Sequence, residues 1–412
     1  MDTQTLLLVL VEIAVIIGLA RVMGMLFARF KQPPVIGEIC AGIMLGPSFL
    51  GMLSPESLTV LFPSSTLPYL FLLSQIGLIF YMFLVGLELN PKFLSGKLKI
   101  AAGISNVSII LPFSLGFILA DFVLYRLNQP SPALFLPFAL FVGSAMSITA
   151  FPVLARILTD KGLTQTALGS MALTCASIDD ISAWCLLAIA IAVTRTDSIT
   201  TAIPILFGVA SYVIFMMTAG RRFAKQVLGN YVQSGSIQQG LLTFIYIAVI
   251  LSAVITEWIG IDVIFGGFIL GVIIPKNNNL SAELKNKTED FVTTFLLPLF
   301  FAYSGLNTEL GLLNTSFLWG VCLLVILAAV AGKFCGVYLS ARFFGIASQE
   351  AKAMGWLMNT RGLTELVILN VGLKLNVISP VMFTLFVIMA LATTMITSPL
   401  LDRIYPSRAI AT

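Results

Sequence analysis

Histidine is absent from this 412-residue sequence. The side chain that ordinarily titrates near neutrality is therefore missing, and any response to pH has to come from carboxylates or lysines. Charge is scarce as well: Asp, Glu, Lys and Arg make up 10% of the chain, where soluble domains run at about 25%. The five cysteines, Cys40, Cys175, Cys185, Cys322 and Cys335, lie in apolar runs with no CxxC pair. That excludes a zinc or dithiol motif and suggests small buried packing residues. The net charge of +4 is spread over connections rather than gathered in a patch, so nucleic acid is not implied as a partner.

What fills the chain instead is apolar sequence. Hydrophobic residues make up 58% of it, and the mean hydropathy is +1.02. Runs of about twenty apolar residues recur almost without pause. They are continuous rather than alternating, which favours helices over the strands of a membrane barrel. Counting them between charge and turn signals predicts an all-α polytopic membrane protein of about thirteen spans, embedded in a lipid bilayer, with no separable soluble domain. Met1-Asp2-Thr3-Gln4-Thr5 offers neither a basic region nor a cleavage site, so the first run reads as a retained helix.

Basic residues sort by connection. Counting the N-terminus as zero, every odd connection holds at least two, such as Arg29 and Lys31, then Lys92, Lys97 and Lys99, then Arg156 and Lys161. Later odd connections hold Arg221, Arg222 and Lys225; Lys276, Lys285 and Lys287; and Arg342 and Lys352. No even connection holds more than one. Lys and Arg accumulate on the cytoplasmic side, so the N-terminus is expected outside and the C-terminus, with Arg403 and Arg408, in the cytoplasm.

Weak internal symmetry follows the same count. Ala41-Gly42-Ile43-Met44-Leu45-Gly46 in the second span resembles Gly266-Gly267-Phe268-Ile269-Leu270-Gly271 in the ninth. Tyr81-Met82-Phe83-Leu84-Val85-Gly86-Leu87-Glu88, closing the third, resembles Phe300-Phe301-Ala302-Tyr303-Ser304-Gly305-Leu306-Asn307, closing the tenth. Both matches shift by seven spans, and an odd shift inverts the copy in the membrane. The expected division is a first inverted repeat over 1–193, a linker helix and loop over 194–235, a second repeat over 236–402 and a short tail over 403–412. Spans five and twelve then correspond, and each carries a helix interruption: Ser147-Ile148-Thr149-Ala150-Phe151-Pro152 in one, Asn359-Thr360-Arg361-Gly362-Leu363-Thr364-Glu365 in the other. Pro152 alone would fit an ordinary kink. Paired with its counterpart it favours two broken helices crossing near the midplane, where free carbonyls face protein or a water-filled cavity.

Beside that crossing, within a sixth run from about Gln165 to Val193, stand Asp179 and Asp180. An acid at that depth costs roughly 2.5–3.5 kcal/mol on insertion scales, so two side by side read as a functional site. Neighbours on a helix point about 100° apart. One carboxylate can face a protein partner while the other faces a water-filled path, which suits a site that trades a cation for protons. Lys333, in Gly332-Lys333-Phe334-Cys335-Gly336, has Asp179 or Asp180 as its natural partner; the alternative is that it snorkels to an interface. Arg361 and Glu365, four apart, could simply neutralise each other and the broken-helix ends. Glu38 either lines an entry path or caps a short helix. Gln75, Ser177, Asn359 and Thr360 are candidate oxygen donors to an ion, although polar residues also join membrane helices with no ion present, and Ser147 and Thr149 are candidate supporting residues beside them. Arg21 is placed to snorkel, Glu12 has no nameable partner, and Asp262 falls at the outer end of the ninth span, where water reaches it.

Gly37-Glu38-Ile39-Cys40-Ala41-Gly42-Ile43-Met44-Leu45-Gly46-Pro47, Asp179-Asp180, the lysine in Gly332-Lys333-Phe334-Cys335-Gly336 and Asn359-Thr360-Arg361-Gly362 together resemble the second branch of the monovalent cation:proton antiporter superfamily. That branch holds NapA-type sodium/proton antiporters, Kef-type potassium systems and plant cation/proton exchangers, and the Asn-Thr-Arg-Gly stretch is most similar to the plant group. The resemblance covers nearly the whole chain. It implies an NhaA/NapA-like fold, with a core of crossed broken helices moving against a dimerisation domain, and a homodimer. Carried over, Asp179 pairs with Lys333 and Asp180 is the main ligand for the cation, Na+ or K+. Kef-type chains continue into a nucleotide-binding domain that this sequence does not include. The plant-like stretch keeps K+ open beside Na+.

The expected function is secondary active Na+/H+ exchange with no catalytic residues and no cofactor, and K+/H+ exchange as the alternative. Sodium at Asp180 would displace its proton and weaken the Asp179–Lys333 pair, freeing a second proton; the resemblance suggests two protons per cation and hence electrogenic transport. From another class, a sodium-coupled organic-solute symporter shares the architecture. A channel is disfavoured because no repeated selectivity filter is present. An aspartyl protease is disfavoured because adjacent aspartates on one helix do not converge on one water.

Overall fold

The computed structural model describes residues 3–88, 98–128, 133–164, 166–196, 199–229, 239–275 and 278–405. Gln165, Lys92, Lys97, Lys276 and Arg408, used above for a span limit and for orientation, lie outside the described residues. Every element described is helical, which is how a continuous apolar chain satisfies its own amides away from water. In order, those of nine residues or more are α1 (Thr3–Arg29), α2 (Pro34–Leu45), α3 (Leu67–Glu88), α4 (Leu98–Leu119), α5 (Phe135–Ser147), α6 (Phe151–Asp160), α7 (Ala167–Thr196) and α8 (Ile199–Phe215). A π-turn, Met216–Gly220, carries α8 into α9 (Arg221–Gly229). Then come α10 (Gln239–Ile259), α11 (Val263–Ile273), the polar α12 (Asn278–Phe291), α13 (Leu297–Leu306), α14 (Ser316–Phe343), α15 (Ser348–Leu357), α16 (Leu363–Lys374) and α17 (Pro380–Ile404).

Among the described residues eleven helical stretches are long and apolar enough to cross a membrane. Two further apolar runs of the sequence are helical but shorter: α11 has 11 residues, and the twelfth run is cut into α15 and α16. The fifth run is also cut. Its break falls at the extended residues 148–150, ahead of Pro152, which sits in the first turn of α6 where a missing amide costs no helical bond.

Three expectations are corrected. Asp262 is not open to water: at 3% exposure it caps α11, its carboxylate accepting from the Ile264 amide at 3.4 Å, because a helix starting inside protein leaves amides to satisfy. Glu38 does not cap α2, which starts at Pro34 behind Pro33 and has no acid in its first turn. Cys175 and Cys322 are buried, but Cys185 and Cys335 are exposed, a thiol being apolar enough to face hydrocarbon.

The chain folds as two compact units. One comprises Met1–Leu19, Ser54–Asn90 and Ile191–Tyr303, the other Ala20–Leu53, Pro91–Ala190 and Ser304–Thr412. In the first, Gly271 of α11 lies against the backbone of Phe83, Gly86 and Leu87 in α3, and Gly86 lies against Phe268. In the second, Gly46, just past α2, lies against the backbone of Gly305 and Leu306, and Gly305 against Gly42 and Ile43. These contacts correspond: Gly271 and Gly46, Gly86 and Gly305, Phe268 and Ile43 are matched positions in the two sequence alignments above. Small residues let membrane helices approach backbone to backbone, and a side chain at either seam has nowhere to go. Gly271→Ala and Gly305→Ala should each cost about 1–3 kcal/mol by overpacking and lower the thermal midpoint of the detergent-purified protein. Gly18→Ala, where an added methyl meets nothing within 4 Å, should leave it unchanged.

Candidate functional site

All the residues gathered here belong to the second unit. The starting point is the broken helix α5, which ends inside protein with carbonyls that no further turn can satisfy. Arg361, fully buried, supplies two of the partners: Nη1 donates to the Ala145 carbonyl and Nη2 to that of Met146 at 2.5 Å. Lys333 of α14, also fully buried, donates to the Ser147 carbonyl at 2.5 Å. Two cations thus sit at the negative end of the α5 dipole. Glu365 lies 3.3 Å from Arg361 Nη1.

The two interruptions meet directly. The Ala150 amide donates to the Thr360 carbonyl at 2.9 Å, and Thr149 Oγ1 lies 2.9 Å from the Met358 carbonyl. Gly362 is needed at this point because a methyl there would press within 2.7 Å of Val153 on α6. The backbone of Arg361 is satisfied on both sides by one residue of α17: its amide donates to Thr394 Oγ1 and its carbonyl accepts from that hydroxyl, each at 2.8 Å.

Against this crossing α7 places its adjacent carboxylates in opposite situations. Asp179, wholly buried, is saturated. Its Oδ1 accepts from Ser105; its Oδ2 accepts from Ser108 at 3.0 Å and Thr149 at 2.8 Å and forms an ion pair with Lys333 at 2.7 Å. Asp180, 1% exposed, has neither oxygen hydrogen-bonded to any protein group among the described residues. The Phe151 amide, in the first turn of α6, faces the carboxylate without completing a hydrogen bond. Both carboxylates are thus buried, with the start of α6 lying against Asp180.

The remaining candidates divide. Thr149 bridges Asp179 and the second interruption, and Ser147 contributes its carbonyl to Lys333 while its hydroxyl returns to the Ser144 carbonyl at 2.9 Å. Ser177 and Thr360 spend their hydroxyls on Leu173 and Leu357 of the local chain, both at 2.8 Å. Asn359 donates to the Gly355 carbonyl at 2.9 Å, leaving Oδ1 buried with no partner among the described residues. Glu38 is not drawn into this cluster; it lies on α2, facing Arg21 and the Gly24 stretch of α1. Sequence reasoning missed Ser105 and Ser108, whose signal was a pair of hydroxyls three residues apart, on one face, in the fourth apolar run. It also missed Thr394.

Breaking a buried ion pair strands a charge. Lys333→Met should therefore cost about 3–5 kcal/mol, read as a lower thermal midpoint, and adding Asp179→Asn to it should restore much of the loss.

Residues 14–403 match the family described as sodium/hydrogen exchanger, transmembrane. The chain is 70% identical over 409 residues to the Na(+)/H(+) antiporter NhaS4 of Synechocystis sp., covering 99% of this chain and all of that one. It is 38% identical over 399 residues to cation/H(+) antiporter 17 of Arabidopsis thaliana and 32% identical over 412 residues to K(+)/H(+) antiporter 1 of Saccharomyces cerevisiae, spanning 48% and 47% of those longer proteins. It thus covers about half the length of the plant and yeast relatives. The fold matches that of the sodium proton antiporter MjNhaP1 from Methanocaldococcus jannaschii, with a TM-score of 0.70 at 14% identity and 98% of each chain covered.

Proposed function

Because this chain belongs to the sodium/hydrogen exchanger family, we propose that it exchanges Na+ for protons by alternating access, with Asp180 as the cation ligand. The observation that carries this reading is the contrast within one pair of carboxylates. Asp179 is fully engaged by three hydroxyls and Lys333, whereas both oxygens of Asp180 lie buried with no completed hydrogen bond among the described residues. A carboxylate so placed can be neutralised in two ways, by a proton or by a monovalent cation, and the two exclude each other.

Na+ arriving at Asp180 displaces its proton. The positive charge then acts on its neighbour, weakening the hold of Asp179 on Lys333, and Lys333 releases a second proton. Protons returning from the other side reverse both events and expel the ion. Two protons leave for each cation, so transport is electrogenic and no cofactor takes part. The same carboxylate faces each side in turn as the unit carrying the crossed helices moves within a homodimer. The matched glycine seams support a chain built as two inverted repeats over 1–193 and 236–402, joined by a linker over 194–235, with a tail over 403–412. The basic residues of the odd connections support an N-terminus outside and a C-terminus in the cytoplasm.

K+ is the second reading, supported by the 32% identity to a yeast relative whose name assigns it K+/H+ exchange. Everted vesicles holding a pH gradient separate the two. Adding Na+ should collapse the gradient with the native chain and fail with Asp180→Asn. A larger response to K+ than to Na+ would transfer the assignment to K+, and normal exchange by Asp180→Asn would remove Asp180 from the site. Because protons and cation compete, the half-saturating Na+ concentration should rise as the pH falls, by about tenfold per pH unit for each proton that the ion displaces. A half-saturation independent of pH would sink direct competition.

A further inference from the structure

Within the first unit, α8, its π-turn and α9 form one unbroken helix over 199–229. At 1.5 Å per residue it is about 45 Å long, against a hydrocarbon core of about 30 Å. Its final turns therefore stand at headgroup depth. That end of the helix is two-faced. Arg221, Arg222 and Lys225 are exposed and make no ion pair among the described residues, and no acidic residue occurs anywhere in 199–229. The other face lines a groove of about 370 Å³ in which every wall residue is apolar.

The groove is built by an absence of side-chain volume. Gly220, Ala224 and Ala248 of α10 form part of its wall, and a methyl at Gly220 would come within 3.2 Å of Met216. Phe223 and Phe244, 57% and 45% exposed, stand on its rim with their rings 6.5 Å apart. Charge meets the groove at its edge: Leu228 lines it, and Arg221, seven residues earlier, lies about 20° away around the helix.

An apolar slot opening beside three uncompensated cations at headgroup depth has the chemistry of one ligand class. We propose that it is a binding site for an anionic phospholipid, with one acyl chain in the groove and the phosphate on Arg221, Arg222 and Lys225. A zwitterionic lipid offers the same chain but cancels its own phosphate charge, so the cations gain less from it. The Phe223 and Phe244 rings close over the upper chain carbons. A lipid held here fastens α9 to α10 and α11 at one end of the scaffold, independently of any ion at Asp180.

The test uses the whole protein, purified in neutral detergent and supplied with phosphatidylglycerol or phosphatidylcholine of the same chain length. Bound lipid is read by native mass spectrometry and by the thermal midpoint. Phosphatidylglycerol should remain bound and raise the midpoint, phosphatidylcholine should do neither, and the Arg221→Gln, Arg222→Gln, Lys225→Gln triple variant should lose at least about tenfold in retention. Ala224→Leu, which fills the groove, should lose it with all three cations intact. Each variant's own lipid-free midpoint is its baseline, which separates lost binding from lost folding. Equal retention of the two lipids, or undiminished preference in the triple variant, overturns the proposal. So does an Ala224→Leu variant that keeps its lipid but turns monomeric, since the groove would then hold a second copy of the chain.

Discussion

A helix that stops within the bilayer leaves carbonyls that water cannot reach, and the rest of this site follows from that constraint. The end of α5 is satisfied by Arg361 and Lys333. Placing two cations at that depth creates a second demand, because a buried charge without a counter-charge is costly. Glu365 and Asp179 meet it, and Asp179 in turn needs hydroxyls for its remaining lone pairs, which α4 and the first interruption supply. Each polar group is present because of the one before it.

That sequence of demands ends at Asp180. It shares a helix turn with Asp179, yet nothing in the chain of caps and counter-charges requires it. Among the described residues its two oxygens have no completed hydrogen bond, so the adjacent acids are not duplicates. One belongs to the framework that keeps a broken helix intact, and the other is left for whatever the framework serves.

Much of this was legible in the sequence, and the reason is energetic. Asp179, Asp180, Lys333, Arg361 and Glu365 stood out because charge in apolar runs is expensive, and the interruptions stood out because polar residues, glycine and proline cannot continue a span unnoticed. Ser105, Ser108 and Thr394 did not stand out. A hydroxyl costs little in a membrane helix and can return to its own backbone, as Ser177 and Thr360 do, so its type says nothing about whether it reaches across to another helix. Asp262 was misread for a related reason. Its place at the end of a run suggested solvent, whereas α11 begins inside protein and takes the carboxylate as a cap. The exposed Cys185 and Cys335 show the same limit, since an apolar run does not say which of its faces meets lipid.

The bonds between the two interruptions also carry a mechanical meaning. Ala150 to Thr360 and Arg361 to Ala145 and Met146 stitch one broken pair to the other through three buried hydrogen bonds. Pulling the pairs apart would expose all of these groups at once, at about 1–3 kcal/mol for each group left unsatisfied. The crossing therefore behaves as a rigid cassette: α5, α6, α15 and α16 travel together or not at all, and any displacement that moves the ion has to be taken up at the cassette's outer surfaces rather than at its centre.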